Sequence, residues 1–209
     1  SFPAGIEAKS LSGKKFVSHI HATEFDRTGG SGVNQQVYDI EREGFHAADR
    51  VVAVSNLTKK TVVDHYGVHP DKVEVIHNGI DVDYFEQSLK ERNKFQSLKD
   101  AGYKMILFLG RLTMQKGPDY FIEAAQKVLE YEPKVFFLIV GSGDMQEQLM
   151  HLAADMGISD RILFGGWLRG NDLAHAYKAA DLYVMPSISE PFGITPLESM
   201  INNTPVLIS

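Results

Sequence analysis

The stretch that decides the fold is KMILFLGRLTMQKGPDYFIEAAQKVLEYEPKVFFLIVG, residues 104–141. It opens on KMILFLG and closes on VFFLIVG, two short runs so continuously apolar that a strand built from either would be covered on both faces. Between them lies PDYFIEAAQKVLEYE, where Phe121, Ala124, Ala125, Val128 and Leu129 fall on one face at helical spacing. Pro118 suits the first helical position, where no amide is needed. A strand, a crossover helix and a second strand make a βαβ unit, which calls for a parallel sheet with helices on its faces.

The same alternation extends in both directions. Towards the C-terminus come helix DMQEQLMHLAADMG, strand RILFGG, helix NDLAHAYKAA, strand LYVMPS and helix TPLESMIN. Towards the N-terminus, KKFVSHIH, RVVAVS and KVEVIHNG read as strands, and VNQQVYDIEREGFHAA and NLTKKTVVDHYG as helices, the latter stopping at Gly67. Residues 81–103 are polar and charge-mixed without a strong period, although SLKERNKFQSLKDAG has some helical character. The expected division is therefore the later part of an N-terminal α/β domain over 1–80, a linker over 81–103, and a second α/β domain over 104–209. Each is expected to be doubly wound around a parallel sheet.

Composition narrows the function. With 209 residues and 44% of them hydrophobic, the chain can bury a substantial core. Lys plus Arg number 21 against 27 Asp plus Glu, so a broad basic face for nucleic acid is not expected. Cysteine is absent, which removes disulfide and thiolate chemistry and fits a reducing, cytoplasmic compartment. No signal peptide is evident and no apolar run approaches the roughly 18 residues of a span, so membrane association is not indicated. The chain lacks an initial Met, opens on the loop-like SFPAG and ends on TPVLIS, a strand just beginning, and so reads as a piece of something longer.

Ligands of open α/β sheets bind beyond the carboxyl ends of the strands, and three such loops carry unusual residues. GRLTMQKG places Arg111 and Lys116 just before a helix start, a setting for a phosphate or diphosphate, or else simply two solvated cations. SEPFGITPLESM, residues 189–200, carries Glu190 and Glu198. Thr195, Pro196 and Glu198 fit a capping box, with Thr at N-cap and Glu at N3, which would leave Glu198 a structural role. Glu190, at the exit of an apolar strand in a turn with Pro191 and Gly193, could accept hydrogen bonds from sugar hydroxyls. GSGDM supplies Gly141 and Gly143, but Gln146 stands where a dinucleotide fingerprint wants glycine.

In the first half, HIHATEFD ends a strand with His19, His21, Glu24 and Asp26. H-x-H can be half a zinc site, but no matching downstream ligands accompany it, and one histidine is expected to face the core while the other faces a cleft. VIHNGID adds Asn78 in an Asn-Gly pair, ordinarily a turn.

Taken together, GRLTMQKG, VGSGDM, FGGWL and ADLYVMPSISEPFGITPLESM, in that order, resemble the C-terminal domain of the group 1, or family 4, glycosyltransferases of the retaining GT-B type, which includes bacterial glycogen synthases. HIHATEFDRTG and AADRVVAVSNLTKKTVVDHYGVHPDKVEVIHNGID resemble the later part of that family's N-terminal domain. The resemblance implies two Rossmann-like domains, the first incomplete and the second truncated here, with Glu190 and Glu198 as the family's E-x7-E element. It implies that Arg111 and Lys116 bind the diphosphate of an ADP-, UDP- or GDP-sugar, that Glu198 accepts from the ribose, and that Glu190 meets the donor sugar. Backbone amides of Gly193, Ile194 and Thr195 would lie near the sugar and phosphate, His21 near the reacting carbon, and Asn78 in the same cleft. Neither a metal nor another cofactor is implied.

The expected function is transfer of glucose from such a donor to an α-glucan or other carbohydrate acceptor, with HATEFDRTG leaning towards the glycogen-synthase side. The alternatives are a GT-B transferase with a lipid or small-molecule acceptor, and a non-catalytic nucleotide-binding module. The family's first strand and glycine-rich loop are absent, so the stretch as given is expected to be inactive. Asn202 and Asn203 stand where members often have small residues.

Overall fold

The computed structural model describes residues 2–29, 32–82 and 93–209. The chain divides into two compact units, Ser1–Gly79 with Ser189–Phe192, and Ile80–Ile188 with Gly193–Ser209. Of the expected linker, residues 83–92 lie outside the described residues.

The first unit contains a parallel sheet of β1 (Val17–Ile20), β2 (Arg50–Ala53) and β3 (Val73–Val75) in that order. Its helices are α1 (Phe2–Ser12), the single turn α2 (Glu24–Arg27), α3 (Gln35–Ala47) and α4 (Asn56–Tyr66). Asn34 starts α3 by accepting from the Gln36 and Val37 amides, and Ser55 starts α4 by accepting from Thr58. Gly67 ends α4 at φ 68°, a left-handed cap that a side chain would strain. Phe45, Val51, Val62 and Tyr66 are fully enclosed between helices and sheet. Of the loop-like SFPAG, Phe2–Gly5 form the start of α1, and Phe2 packs edge-on against Phe45 at 5.1 Å. A short segment of weak helical pattern takes its shape from that tertiary contact.

In the second unit, α5 (Gln96–Asp100) precedes β4 (Lys104–Leu109), α6 (Pro118–Tyr131), β5 (Val135–Val140), α7 (Gln146–Asp155), β6 (Ile162–Gly166), α8 (Gly170–Ala179), β7 (Leu182–Met185), α9 (Ile194–Ile201) and β8 (Val206–Ile208). The five strands are parallel in the order β6-β5-β4-β7-β8. Chain direction across the sheet therefore reverses between β4 and β7, and helices cover both faces. Phe108, Phe137 and Ile139 pack with Phe121, Ile122 and Leu149 on one side, while Leu107, Leu138 and Val140 pack with Ala174, Ala176 and Tyr177 on the other. Each such enclosed side chain contributes on the order of 1.5–3 kcal/mol of transfer free energy.

Two details differ from the sequence reading. Ala124 is exposed and Ile122 is fully buried, because at about 100° per residue Ile122 lies nearer than Ala124 to the middle of the Phe121–Ala125–Leu129 stripe. The segment expected to be linker contains α5, whose Leu98, with Phe95 just before it, packs on the core of the second unit.

Candidate functional site

A cavity of about 350 Å³ opens at the carboxyl ends of β4 and β5, beside the point where strand order reverses. Its walls come from Leu109, Gly110 and Arg111 at the end of β4, from Val140 and Gly141 at the end of β5, and from Trp167 and Leu168 after β6. Leu173 of α8 and Ile194, Thr195 and Glu198 of α9 complete them. The loops stay close because their glycines admit it. A Cβ on Gly141, whose φ is 136°, would stand 1.9 Å from the Gly110 carbonyl oxygen, and one on Gly143 would stand 2.3 Å from that of Leu112. The two glycines of GSGDM thus serve backbone-to-backbone packing between neighbouring loops.

Lys116 ends the tight turn Met114–Lys116 that precedes α6. Its stem runs beside the same strand exit, since a Cβ on Gly110 would meet Lys116 Cγ at 3.8 Å. Gly117 holds that turn in place: it adopts φ 61°, and any Cβ there would strike the Pro186 carbonyl oxygen at 2.2 Å.

The start of α9 corrects an expectation. The helix begins at Ile194 with Gly193 as N-cap at φ 78°, and no side chain caps it. Thr195 is therefore inside the helix, and the expected capping box does not form. Pro196 falls at N3, where its missing amide costs no intrahelical bond, so the chain can enter the helix before the proline. The Ile194 and Thr195 amides are among those an α-helix leaves unpaired, at the positive end of its dipole.

Glu198, freed of a capping role, is met by a buried phenol: the Tyr177 hydroxyl donates to Glu198 Oε2 at 2.8 Å. Burial, and after it the charge of Glu198 and the bond to it, push the Tyr177 hydroxyl far above its ordinary range, so it remains a donor. Tyr183, equally enclosed, shares a 2.6 Å hydrogen bond with Thr195 Oγ1. Neither tyrosine was singled out in the sequence, and neither was Trp167. Trp167 is 62% exposed although it follows a core strand, and the Arg169 guanidinium lies 5.6 Å from its ring centre. A large aromatic residue standing open at a strand exit was the available signal.

The other sequence candidates lie elsewhere. Glu190 is half-buried in the segment Ser189–Phe192, which groups with the first unit, and it is not in the cavity wall. His21 directly follows β1 and is exposed, and so is His19. The expectation that one of them faces the core fails because residues two apart in a strand share a face. Their rings are 4.3 Å apart, and desolvation followed by the charge of His21 lowers the pKa of His19. Glu24 and Asp26 are committed to the turn itself. Asp26 accepts from the Thr23 amide at 2.7 Å and from its hydroxyl at 2.9 Å, while Glu24 accepts from Arg27 and from the Asn34 amide. Among the described residues no three His, Cys, Asp or Glu side chains gather as metal ligands would. Asn78 is half-buried after β3, and Gly79 has no left-handed φ, so the pair makes no tight turn.

The cavity is lined by apolar residues with the Trp167 indole, by a carboxylate held by a phenol, by a helix N-terminus and by Arg111. Such a site suits a ligand with a flat apolar part, hydroxyls and an anionic group. Fold and cavity together define a Rossmann-like α/β protein with a cavity beside the strand-order reversal. The chain belongs to the group 1 glycosyltransferases: the model of that family, "Glycosyl transferases group 1", matches residues 90–209, and "Glycosyltransferase Family 4" matches residues 1–84. An uncharacterised glycosyltransferase of Methanocaldococcus jannaschii is 37% identical over 98% of this chain and 54% of its own length. The UDP-Gal:alpha-D-GlcNAc-diphosphoundecaprenol alpha-1,3-galactosyltransferase of Escherichia coli is 30% identical over the same shares, 98% and 54%.

Among solved structures, Anabaena HepE, crystallised with UDP and glucose, superposes with a TM-score of 0.83 at 23% identity, over 98% of this chain and 55% of that one. The fold is thus of the GT-B type. The chain spans about half the length of these relatives. No helix among the described residues is long and apolar enough to cross a membrane.

Proposed function

We propose that the complete protein is a retaining glycosyltransferase that moves a sugar, with glucose the first candidate, from a nucleoside-diphosphate sugar to an acceptor hydroxyl. The bond from C1 to the diphosphate oxygen breaks with its electron pair passing to that oxygen, and the acceptor oxygen bonds C1 and passes its proton to the departing diphosphate. Arg111 and Lys116 stabilise the charge gathering on the departing diphosphate, aided by the Gly193, Ile194 and Thr195 backbone at the α9 start. Glu198 accepts from the ribose, with the base against the Trp167 wall. Glu190 binds the donor sugar, His21 acts beside the reacting carbon, and Asn78 contributes to donor binding. The two cations take the electrostatic part a metal would otherwise play, so the reaction proceeds without one.

The observation that carries this reading is one cavity bordered by Arg111, an uncapped helix N-terminus and Glu198. The test is a donor screen on the full protein, following nucleoside diphosphate release from ADP-, UDP- and GDP-glucose, with and without glycogen, in EDTA. Release from one donor that survives EDTA and rises with glycogen supports the glucan reading in full. A second reading is favoured by the Escherichia coli relative, whose name specifies a diphosphoundecaprenol-linked acceptor. Release stimulated by a polyprenyl-diphosphate sugar and not by glycogen would select it, and silence with every donor would leave the nucleotide-binding module.

A further inference from the structure

The α9 start is braced from beneath by two phenols that belong to other elements. Tyr177 comes from α8 and Tyr183 from β7, both are fully buried, and their ring centres lie 6.1 Å apart. Yet they grip different targets. Tyr177 donates to Glu198 Oε2 at 2.8 Å, with the Thr195 carbonyl a further 3.4 Å acceptor. Tyr183 bonds Thr195 Oγ1 at 2.6 Å and reaches the Leu109 carbonyl at 3.4 Å. Glu198 is also fixed through its backbone, because Asn202 Nδ2 donates to its carbonyl at 2.8 Å.

A half-buried carboxylate in a cavity wall has two oxygens and rotates freely unless one is held. Tyr177 holds Oε2 from the protein side, which leaves Oε1 to accept from a ligand. A phenol kept protonated by burial and by the neighbouring carboxylate suits that task, since its proton remains available to donate.

We propose that Tyr177 is a positioning residue that sets selectivity for the ribose of the nucleotide, by fixing one oxygen of Glu198 so that the other accepts from a ribose hydroxyl. This rests on the reading of the cavity as a nucleotide site. Without the phenol the carboxylate is free to turn, and its bond to a hydroxyl loses direction while the anion-binding end is unchanged.

The test uses calorimetric titration of the full protein with UDP, ADP and GDP, with the 2′-deoxy and 3′-deoxy forms of whichever binds, and with inorganic pyrophosphate. The wild type is expected to bind the ribonucleotide roughly tenfold or more tighter than at least one deoxy form. Tyr177→Phe should bring that ratio close to one and leave pyrophosphate affinity as it was. Tyr183→Phe is the matched control, removing the neighbouring hydroxyl of the same brace, and should keep the ratio.

Tyr177→Phe retaining the discrimination overturns the proposal, as does an equal loss for ribonucleotide, deoxynucleotide and pyrophosphate. Wild-type protein that binds the nucleotide but ignores the ribose hydroxyls leaves the nucleotide site standing and removes this role. No binding of any diphosphate refutes the site reading itself, and the proposal with it. If Tyr177→Phe does not fold, 4-fluorophenylalanine at position 177 fills the hydroxyl's place without a proton to donate, and a retained ratio then overturns the proposal.

Discussion

At the residue scale, the site candidates legible in the sequence were those announced by their place in the chain. Arg111 closely follows one apolar strand and Glu198 lies in the helix after another, so strand-end logic alone expected a site there, and both line the cavity. Tyr177 and Tyr183 were illegible for the opposite reason: within their own elements they look like core, and the residues they hold lie 21 and 12 positions away. Glu198 was itself read two ways, and Gly193 decides between them, because its left-handed φ lets the helix begin before Thr195. Lys116→Ala is accordingly expected to lower kcat by roughly 10²-fold or more, as loss of a preorganised charge on a departing group does. The melting temperature should stay near that of the wild type. Stopped-assay kinetics beside a thermal melt would check it, and unchanged kcat and KM would remove the phosphate role.

At the scale of the element, strands and helices were legible almost throughout because apolar period and stop signals agreed, as at Gly67, which ends α4. The exceptions are α1 and α5, short helices whose own sequences carry little amphipathic pattern. Tertiary bonds hold them instead. Asp49 accepts from the Phe16 amide at 2.9 Å and pairs with Lys9 of α1 at 3.0 Å. Asp181 accepts from the Met105 amide at 2.8 Å and pairs with Lys99 of α5 at 2.6 Å. For Asp181, burial raises the carboxyl, but the bonds from Lys99 and Met105 outweigh it and leave the pKa below the ordinary 3.8.

A carboxyl depressed on folding contributes stability above its unfolded pKa and loses it as pH falls through the folded value. Asp181→Asn should therefore flatten the fall of melting temperature below about pH 4, where the wild type progressively loses the contribution of the ionised group, and lower it at pH 7. Parallel melting curves with no difference in pH dependence would refute this. Gly141→Ala, which forces a Cβ into the Gly110 carbonyl at a φ of 136°, should cost about 2 kcal/mol or more in denaturant titration.

At the scale of the molecule, two α/β units were expected from the restart of the strand–helix alternation, and the chain's contacts group it into two compact units. What the sequence could not give is which unit a ligand would touch first, because charges for both were legible but the cavity wall was not. The chain's single tryptophan settles how to ask. Trp167 is the only Trp of the sequence and stands in the wall of the second unit's cavity, beside Arg169. Its emission therefore reports on that unit alone.

A nucleoside diphosphate entering the cavity would cover the indole, so titration with UDP or ADP should change Trp167 emission saturably. Pyrophosphate should compete for the same sites while changing emission less, since it lacks a base. Bound ligand also adds RT ln(1 + [L]/Kd) to the stability of the unit that holds it, about 2.7 kcal/mol at a hundredfold excess over Kd. The tryptophan-detected melting transition should move up accordingly. Emission that falls without saturating, with no shift in that transition, would mean that the nucleotide only collides with the exposed ring, and Arg111 and Glu198 would then need another ligand.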